Sequence, residues 1–250
     1  MLRFTSLGSG SRGNSTLISS KQCKVLVDCG FSVKETEKRL LTKGVEPEAI
    51  DAIFVTHEHG DHGNGVGRFG RRYNVPVYGT AGTLNSIDTK NCKTIDLTRD
   101  EYLEFGDLNV LPISVPHDAR EPSQYIFEHA EKRFGILTDL GHITEHVVAH
   151  YKTCHALLLE ANHDLGQLWN GSYPESLKQR IAGDNGHLSN CQSMELLDRL
   201  DAHSLNSVVL AHLSDENNCP NVVNEQFERF RTSFSIQLAS QELGSEWVEV

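Results

Sequence analysis

Short apolar runs separated by polar turns fill the opening third of the chain. Arg3 to Leu7, Ser15 to Ser19 and Lys24 to Asp28 each have the length and spacing of a strand, and together they predict a β-meander. Apolar positions then recur at helical spacing from Val33 to Lys43, with Ser32 placed as an N-cap and Gly44 as a stop. Ala52 to Thr56 returns to a buried strand. Beyond a histidine-rich turn the pattern predicts a helix over Gly63 to Tyr73, a strand at Val77 to Tyr78 and a short helix near Thr80 to Ile87. Glu101 to Phe105, Asn109 to Val115, Gln124 to His129 and Phe134 to Thr138 read as an antiparallel series. Helices at Glu145 to His150, Pro174 to Ile181 and Cys191 to Leu200 alternate with strands at Ala156 to Glu160 and Ser207 to Ala211. A helix from Val222 to Arg231 precedes the C-terminal strands.

Two β-rich halves, each finishing in β/α units, imply an α/β fold in which two sheets pack face to face with helices outside, an αββα sandwich. No fixed-period repeat, low-complexity tract or Pro/Gly/Ser linker interrupts the pattern, so residues 1–250 are expected to form a single domain. No window approaches the roughly 18 consecutive apolar residues of a membrane span, and the N-terminus lacks a basic segment followed by an apolar core. A cytoplasmic protein with no membrane partner is the expectation. The six cysteines are scattered and form no Cys-x-x-Cys pair, which points to free thiols. A Cys23–Cys29 disulfide is the alternative, and it requires an oxidising compartment.

The net charge of -11 argues against nonspecific coating of nucleic acid or of an anionic membrane. It does not exclude a local anion site, because bound cations reverse the field in the pocket that holds them. Thirteen histidines are the compositional signal, and three of them fall in His57-Glu58-His59-Gly60-Asp61-His62 at the end of an apolar strand. Read as a tight turn rather than a helix, this run offers His57, His59, Asp61 and His62 as metal ligands. A lone His or Asp in a loop is ordinarily just solvated; four together have little structural reason to exist otherwise. Further ligands are expected at other strand ends, and His117, Asp139 and His212 each directly follow an apolar β-like run. Any one of them alone would more often be a capped turn residue.

The run His57 to His62 matches the HxHxDH motif, and through it the chain resembles the metallo-β-lactamase superfamily. The segments Leu7-Gly8-Ser9-Gly10-Ser11-Arg12-Gly13-Asn14-Ser15 and Val27-Asp28-Cys29-Gly30 match as well, so the resemblance spans nearly the whole chain. It implies two divalent ions, one held by His57, His59 and His117, the other by Asp61, His62 and His212, with Asp139 bridging. Within the superfamily the chain looks most similar to the WalJ/YycJ group of exonucleases. The segments that carry this likeness are Asp28 to Ser32, Pro116 to Ala119, Thr138 to Gly141, Glu160 to Asp164, Gly186 to Asn190 and Ala211 to Ser214. Gly60 departs from the serine expected there, at a position that carries no ligand.

Two ions about 3.5–4 Å apart activate a water and clamp the oxygens of an in-line displacement, which suits phosphodiester hydrolysis. Asp61 and Asp139 are therefore candidate catalytic groups as well as ligands, and zinc, manganese or iron would suit the donors. His187 resembles a histidine of related phosphodiesterases, including tRNase Z, and is the candidate general acid; its bland reading is a histidine beside the helix cap Ser189. His163 either lines the pocket or sits in a hydrogen-bonded turn. Arg68, Arg71 and Arg72 share one face of the helix after the motif and are candidate contacts to a DNA backbone, though such a cluster is more often a solvated face. The leading expectation is a DNA exonuclease. The alternatives are a small-molecule (cyclic) phosphodiesterase, a thioester or β-lactam hydrolase and a non-catalytic metal-binding module.

Overall fold

Two seven-stranded sheets pack face to face in the computed structural model, which describes residues 1–201 and 203–250. The first half of the chain supplies β1 (Arg3–Gly8), β2 (Ser15–Ser19), β3 (Lys24–Val27), α1 (Val33–Thr42), β4 (Ala52–Phe54), α2 (Gly60–Gly63), α3 (Val66–Tyr73), β5 (Val77–Gly79), α4 (Ala81–Leu84) and β6 (Thr94–Asp96). The second half supplies β7 (Leu103–Phe105), β8 (Leu108–Ser114), β9 (Ser123–His129), β10 (Lys132–Leu137), α5 (Glu145–Tyr151), β11 (Ala156–Glu160), α6 (Leu165–Asn170), α7 (Glu175–Ile181), α8 (Asn190–Arg199), β12 (Ser207–Ala211), α9 (Pro220–Gln226), β13 (Ser235–Leu238) and β14 (Val248–Glu249).

The sheet orders are β14-β1-β2-β3-β4-β5-β6 and β13-β12-β11-β10-β9-β8-β7. In each, an antiparallel part gives way to parallel strands joined by helical crossovers: β3 to β6 in one, β10 to β13 in the other. The expected meander and antiparallel series are both present.

Strand side chains alternate between faces, and here both faces are buried. On β11 and β12, Ala156, Leu158, Val209 and Ala211 point between the sheets, where they join Phe4, Phe54, Phe127 and Phe134. Their neighbours Leu157, Leu159, Val208 and Leu210 point outward against Val147, Leu196, Leu197 and Val223 of the covering helices. On the first sheet Leu17, Leu26 and Ile53 face Leu40 and Phe69 of α1 and α3. These are the four layers of an αββα sandwich. Among the described residues no helix is long and apolar enough to cross a membrane.

Several boundaries differ from expectation. The helix expected over Gly63 to Tyr73 is broken into α2 and α3 at Asn64 and Gly65. The backbone of Gly65 packs so tightly on the 29–31 loop that an added Cβ would lie 2.1 Å from the Phe31 carbonyl oxygen. Helix α6 went unforeseen although Asp164 caps it, accepting from Gln167 N at 2.9 Å, and the edge strand β6 is too polar to stand out. The helix expected to reach Arg231 ends at Gln226 and continues as a 3₁₀ turn over Glu228–Thr232. The cysteines are unpaired; Cys29 Sγ sits 3.5 Å from Thr36 Oγ1, whereas Cys23 Sγ faces the Phe105 carbonyl oxygen.

Candidate metal centre

The expected ligands lie together at one end of the sandwich, most of them just past a strand. His57 and His59 follow β4 on extended chain, His117 follows β8, Asp139 follows β10 and His212 follows β12. The tight turn expected for Asp61 and His62 is in fact the single helical turn α2, with His59 as its N-cap. Asp28, Asp139 and His212 all have positive φ (62°, 57° and 54°), a region that L residues seldom enter. Three such residues at one site mark a backbone bent to aim side chains inward.

The ligand atoms fall into interlocking groups: His57 with His59 and His117, Asp61 with His62 and His212, and His57 with His62 and Asp139. Asp139 reaches both halves, with Oδ2 3.0 Å from His62 Nε2 and Oδ1 3.7 Å from His212 Nε2. Buried polar atoms nearly always find hydrogen-bond partners. Yet His57 Nε2 and His212 Nε2 are buried without one, and the buried Asp139 Oδ2 meets only His62 Nε2. These orphaned donor atoms fit divalent cations.

Outside this ring a second layer of hydrogen bonds holds His57, His62, His117 and His212. His62 Nδ1 donates to Asp28 Oδ2 at 2.8 Å, and Asp28 also accepts from the backbone N and the hydroxyl of Thr56. His117 Nδ1 is 3.1 Å from the Gly186 carbonyl oxygen, and His57 Nδ1 is 3.0 Å from Thr56 Oγ1. Asn14 Nδ2 lies 3.1 Å from Asp61 Oδ2 and 3.1 Å from His62 Nε2. Glu160, wholly buried, accepts at Oε1 from His187 Nδ1 (2.8 Å) and His212 Nδ1 (3.2 Å), and at Oε2 from Leu140 N and Leu188 N. Four donors fill this carboxylate, so it orients the two imidazoles rather than binding an ion, although its distances alone would also suit a ligand.

Electrostatics divides the histidines. Burial, reinforced by His62, drives His57 well below the usual imidazole range despite Asp139. Burial also lowers His117. His62 and His212 behave oppositely: burial opposes their charge, but Asp139 and the other carboxylates outweigh it, raising His62 and pushing His212 up to about 10. His187 is raised because Glu160 outweighs its burial, and Glu160 is itself lowered to about 2 as His187 and His212 overcome its desolvation.

His187 stands beside this cluster, its ring centroid 5.2 Å from that of His212 and 5.6 Å from that of His117. His163 is fully buried behind it, with neither ring nitrogen hydrogen-bonded and burial pushing it down to about 4. It does not line the cavity that opens on His187. The three arginines do not act as one face. Arg71 is bound to Asp88 (3.0 Å) and the Lys90 carbonyl, and Arg72 to Glu37 (3.0 Å), because acidic or carbonyl partners flank α3 on both sides. Arg68 lines a separate cavity of about 230 Å³ with Glu58, Asn64 and Asp88.

Sequence reasoning gave no role to Glu160, Asp28 or Asn14. A signal existed for the first two, since each is an acidic residue closing an apolar strand, as Asp139 does.

The chain belongs to the β-lactamase superfamily, whose domain matches residues 24–213. Within it, the chain groups with the WalJ and YycJ proteins. It is 37% identical over 223 residues to exodeoxyribonuclease WalJ of Streptococcus pneumoniae, covering 86% of this chain and 83% of that one. To exodeoxyribonuclease YycJ of Bacillus anthracis it is 34% identical over 222 residues, 87% of this chain and 84% of that one. The solved metallo-β-lactamase fold protein YhfI of Bacillus subtilis matches with a TM-score of 0.76 over 100% of both chains at 15% identity, a likeness of fold alone.

Proposed function

We propose that this protein is a metal-dependent exodeoxyribonuclease that hydrolyses phosphodiester bonds at DNA ends. The observation that carries the reading is the Glu160–His187 pair at 2.8 Å beside the ligand cluster. A phosphodiester leaves through an oxygen that needs a proton, and an imidazole held protonated by a buried carboxylate can provide it. A thioester or β-lactam site gives this pair no task. DNA, and attack from an end, rest on the likeness to relatives named exodeoxyribonucleases.

His57, His59 and His117 would hold one divalent ion, Asp61, His62 and His212 a second, with Asp139 between; zinc, manganese and iron all suit these donors. When bound, such ions activate water and stabilise charge on the phosphoryl oxygens. Asp28 and Glu160 keep Nδ1 of His62 and His212 occupied, which turns Nε2 of each inward. His187 donates through Nδ1 to Glu160 and carries its second proton at Nε2, for which no protein partner exists among the described residues. Asp139, touching both ligand groups, is placed to orient the attacking water. A cytoplasmic location accords with a DNA substrate and six free thiols.

The test uses purified protein with manganese or zinc and three substrates: end-labelled linear duplex, circular duplex and bis-p-nitrophenyl phosphate. Progressive loss from linear ends with the circle intact is expected. Turnover of the small ester alone would replace this reading with a small-molecule phosphodiesterase. No turnover of any of the three would favour a non-catalytic metal module.

A further inference from the structure

Helix α7 carries an apolar stripe that joins none of the hydrophobic cores. Leu177 and Ile181 share one face of it, and Tyr173, just before the helix, lines the same cavity as they do. Amphipathic helices normally turn that face to a core. Here an adjoining side is the anchored one: the Lys178 stem is buried, with Nζ donating to the Trp169 carbonyl at 2.9 Å. The stripe instead walls a cavity of about 240 Å³ whose floor is His59, His117, Gly186 and His187.

The wall and the floor are hydrogen-bonded to each other. His187 N donates to the Ile181 carbonyl at 2.9 Å, and His117 Nδ1 meets the Gly186 carbonyl. Gly186 lies so close to the end of α7 that an added Cβ would be 2.2 Å from the Ile181 oxygen. At the rim, Arg180 is bound to Asp118 through Nε and Nη2 at 2.8 Å each, which leaves Nη1 for another acceptor.

Resting on the nuclease reading above, we propose that this stripe is the binding wall for the terminal nucleoside, the one that departs on the oxygen facing His187. A base has an apolar π-face whatever its identity, so an aromatic and two aliphatic side chains hold it without sequence preference. At about 240 Å³ the cavity has room for one base against the stripe, with the sugar at its open side. The unused N–H of Arg180 is positioned for a polar group of that nucleotide at the rim.

The test compares oligonucleotides ending in a normal nucleotide with oligonucleotides ending in an abasic tetrahydrofuran unit, on wild type, Tyr173→Ala and Leu177→Ser. Metal content and thermal unfolding confirm that each variant folds. In the wild type the missing base should lower kcat/KM about five- to 150-fold, the range expected of one stacked base. In both variants that penalty should shrink towards unity, because the wall no longer distinguishes the two ends. An undiminished penalty in both variants overturns this inference while leaving the nuclease reading intact. Failure of the wild type to hydrolyse either oligonucleotide overturns the nuclease reading itself, and this inference with it.

Discussion

Glu160 Oε1 sits 2.8 Å from His187 Nδ1 and 3.2 Å from His212 Nδ1, so one buried carboxylate steers both the proposed acid and a proposed ligand. The two can be separated. His187→Ala should slow phosphodiester hydrolysis by about 10²–10⁴-fold with metal content unchanged. Metal analysis beside single-turnover kinetics checks this, and an emptied site would refute the role of His187.

Glu160→Gln gives a distinct signature. His187 is raised chiefly because Glu160 outweighs its burial, so removing that charge lowers its pKa. The protonated acid is lost as pH rises through that pKa, so the alkaline limb of kcat should move to lower pH in the variant. A limb that does not move places the titration elsewhere.

Asp28 tests the outer layer alone. It touches His62 Nδ1 and not the ligand space, so Asp28→Asn should weaken metal affinity about 10–100-fold while leaving the fold cooperative. Competition with a chromophoric chelator measures it. Asp61→Ala, by contrast, should abolish turnover mainly by releasing the second ion.

Metal uptake should expel protons. Without cations, protons on His62 and His212 balance Asp61 and Asp139, since their pKa values are raised, that of His212 to about 10. Cations displace those protons, so apparent affinity should rise with pH from 6 towards 9, on the order of one decade per unit for each proton released. Titration calorimetry in buffers of different ionisation enthalpy counts the protons, and a count of zero would contradict the charge assignment.

Gly30→Ala probes the junction of the loops. An added Cβ would lie 1.8 Å from the Asp61 carbonyl oxygen, which also accepts from Asn14 N at 2.7 Å. The backbone must shift, costing about 1–3 kcal/mol or more and displacing Asp61 and His62. A fall in Tm together with reduced metal content is expected; an unchanged Tm would show that the loop yields freely.

By itself the sequence determined the sandwich and the inner ring. Continuous apolar runs such as Ala156 to Leu159 and a dense His/Asp run at a strand end are local patterns, legible without knowing what packs against what. The resemblance grouped His117, Asp139 and His212 with that run. Only the tertiary structure decided the rest. Glu160 and Asp28 act through hydrogen bonds to histidines 27, 52 and 34 positions away, separations no local pattern encodes. Arg71 and Arg72 looked like a phosphate-binding face until Asp88 and Glu37 were found folded against them. The stripe of α7 likewise had the spacing of a core-facing helix. Periodicity tells which residues share a face, but what that face meets depends on contacts between segments remote in the chain, and here it meets the space beside His187.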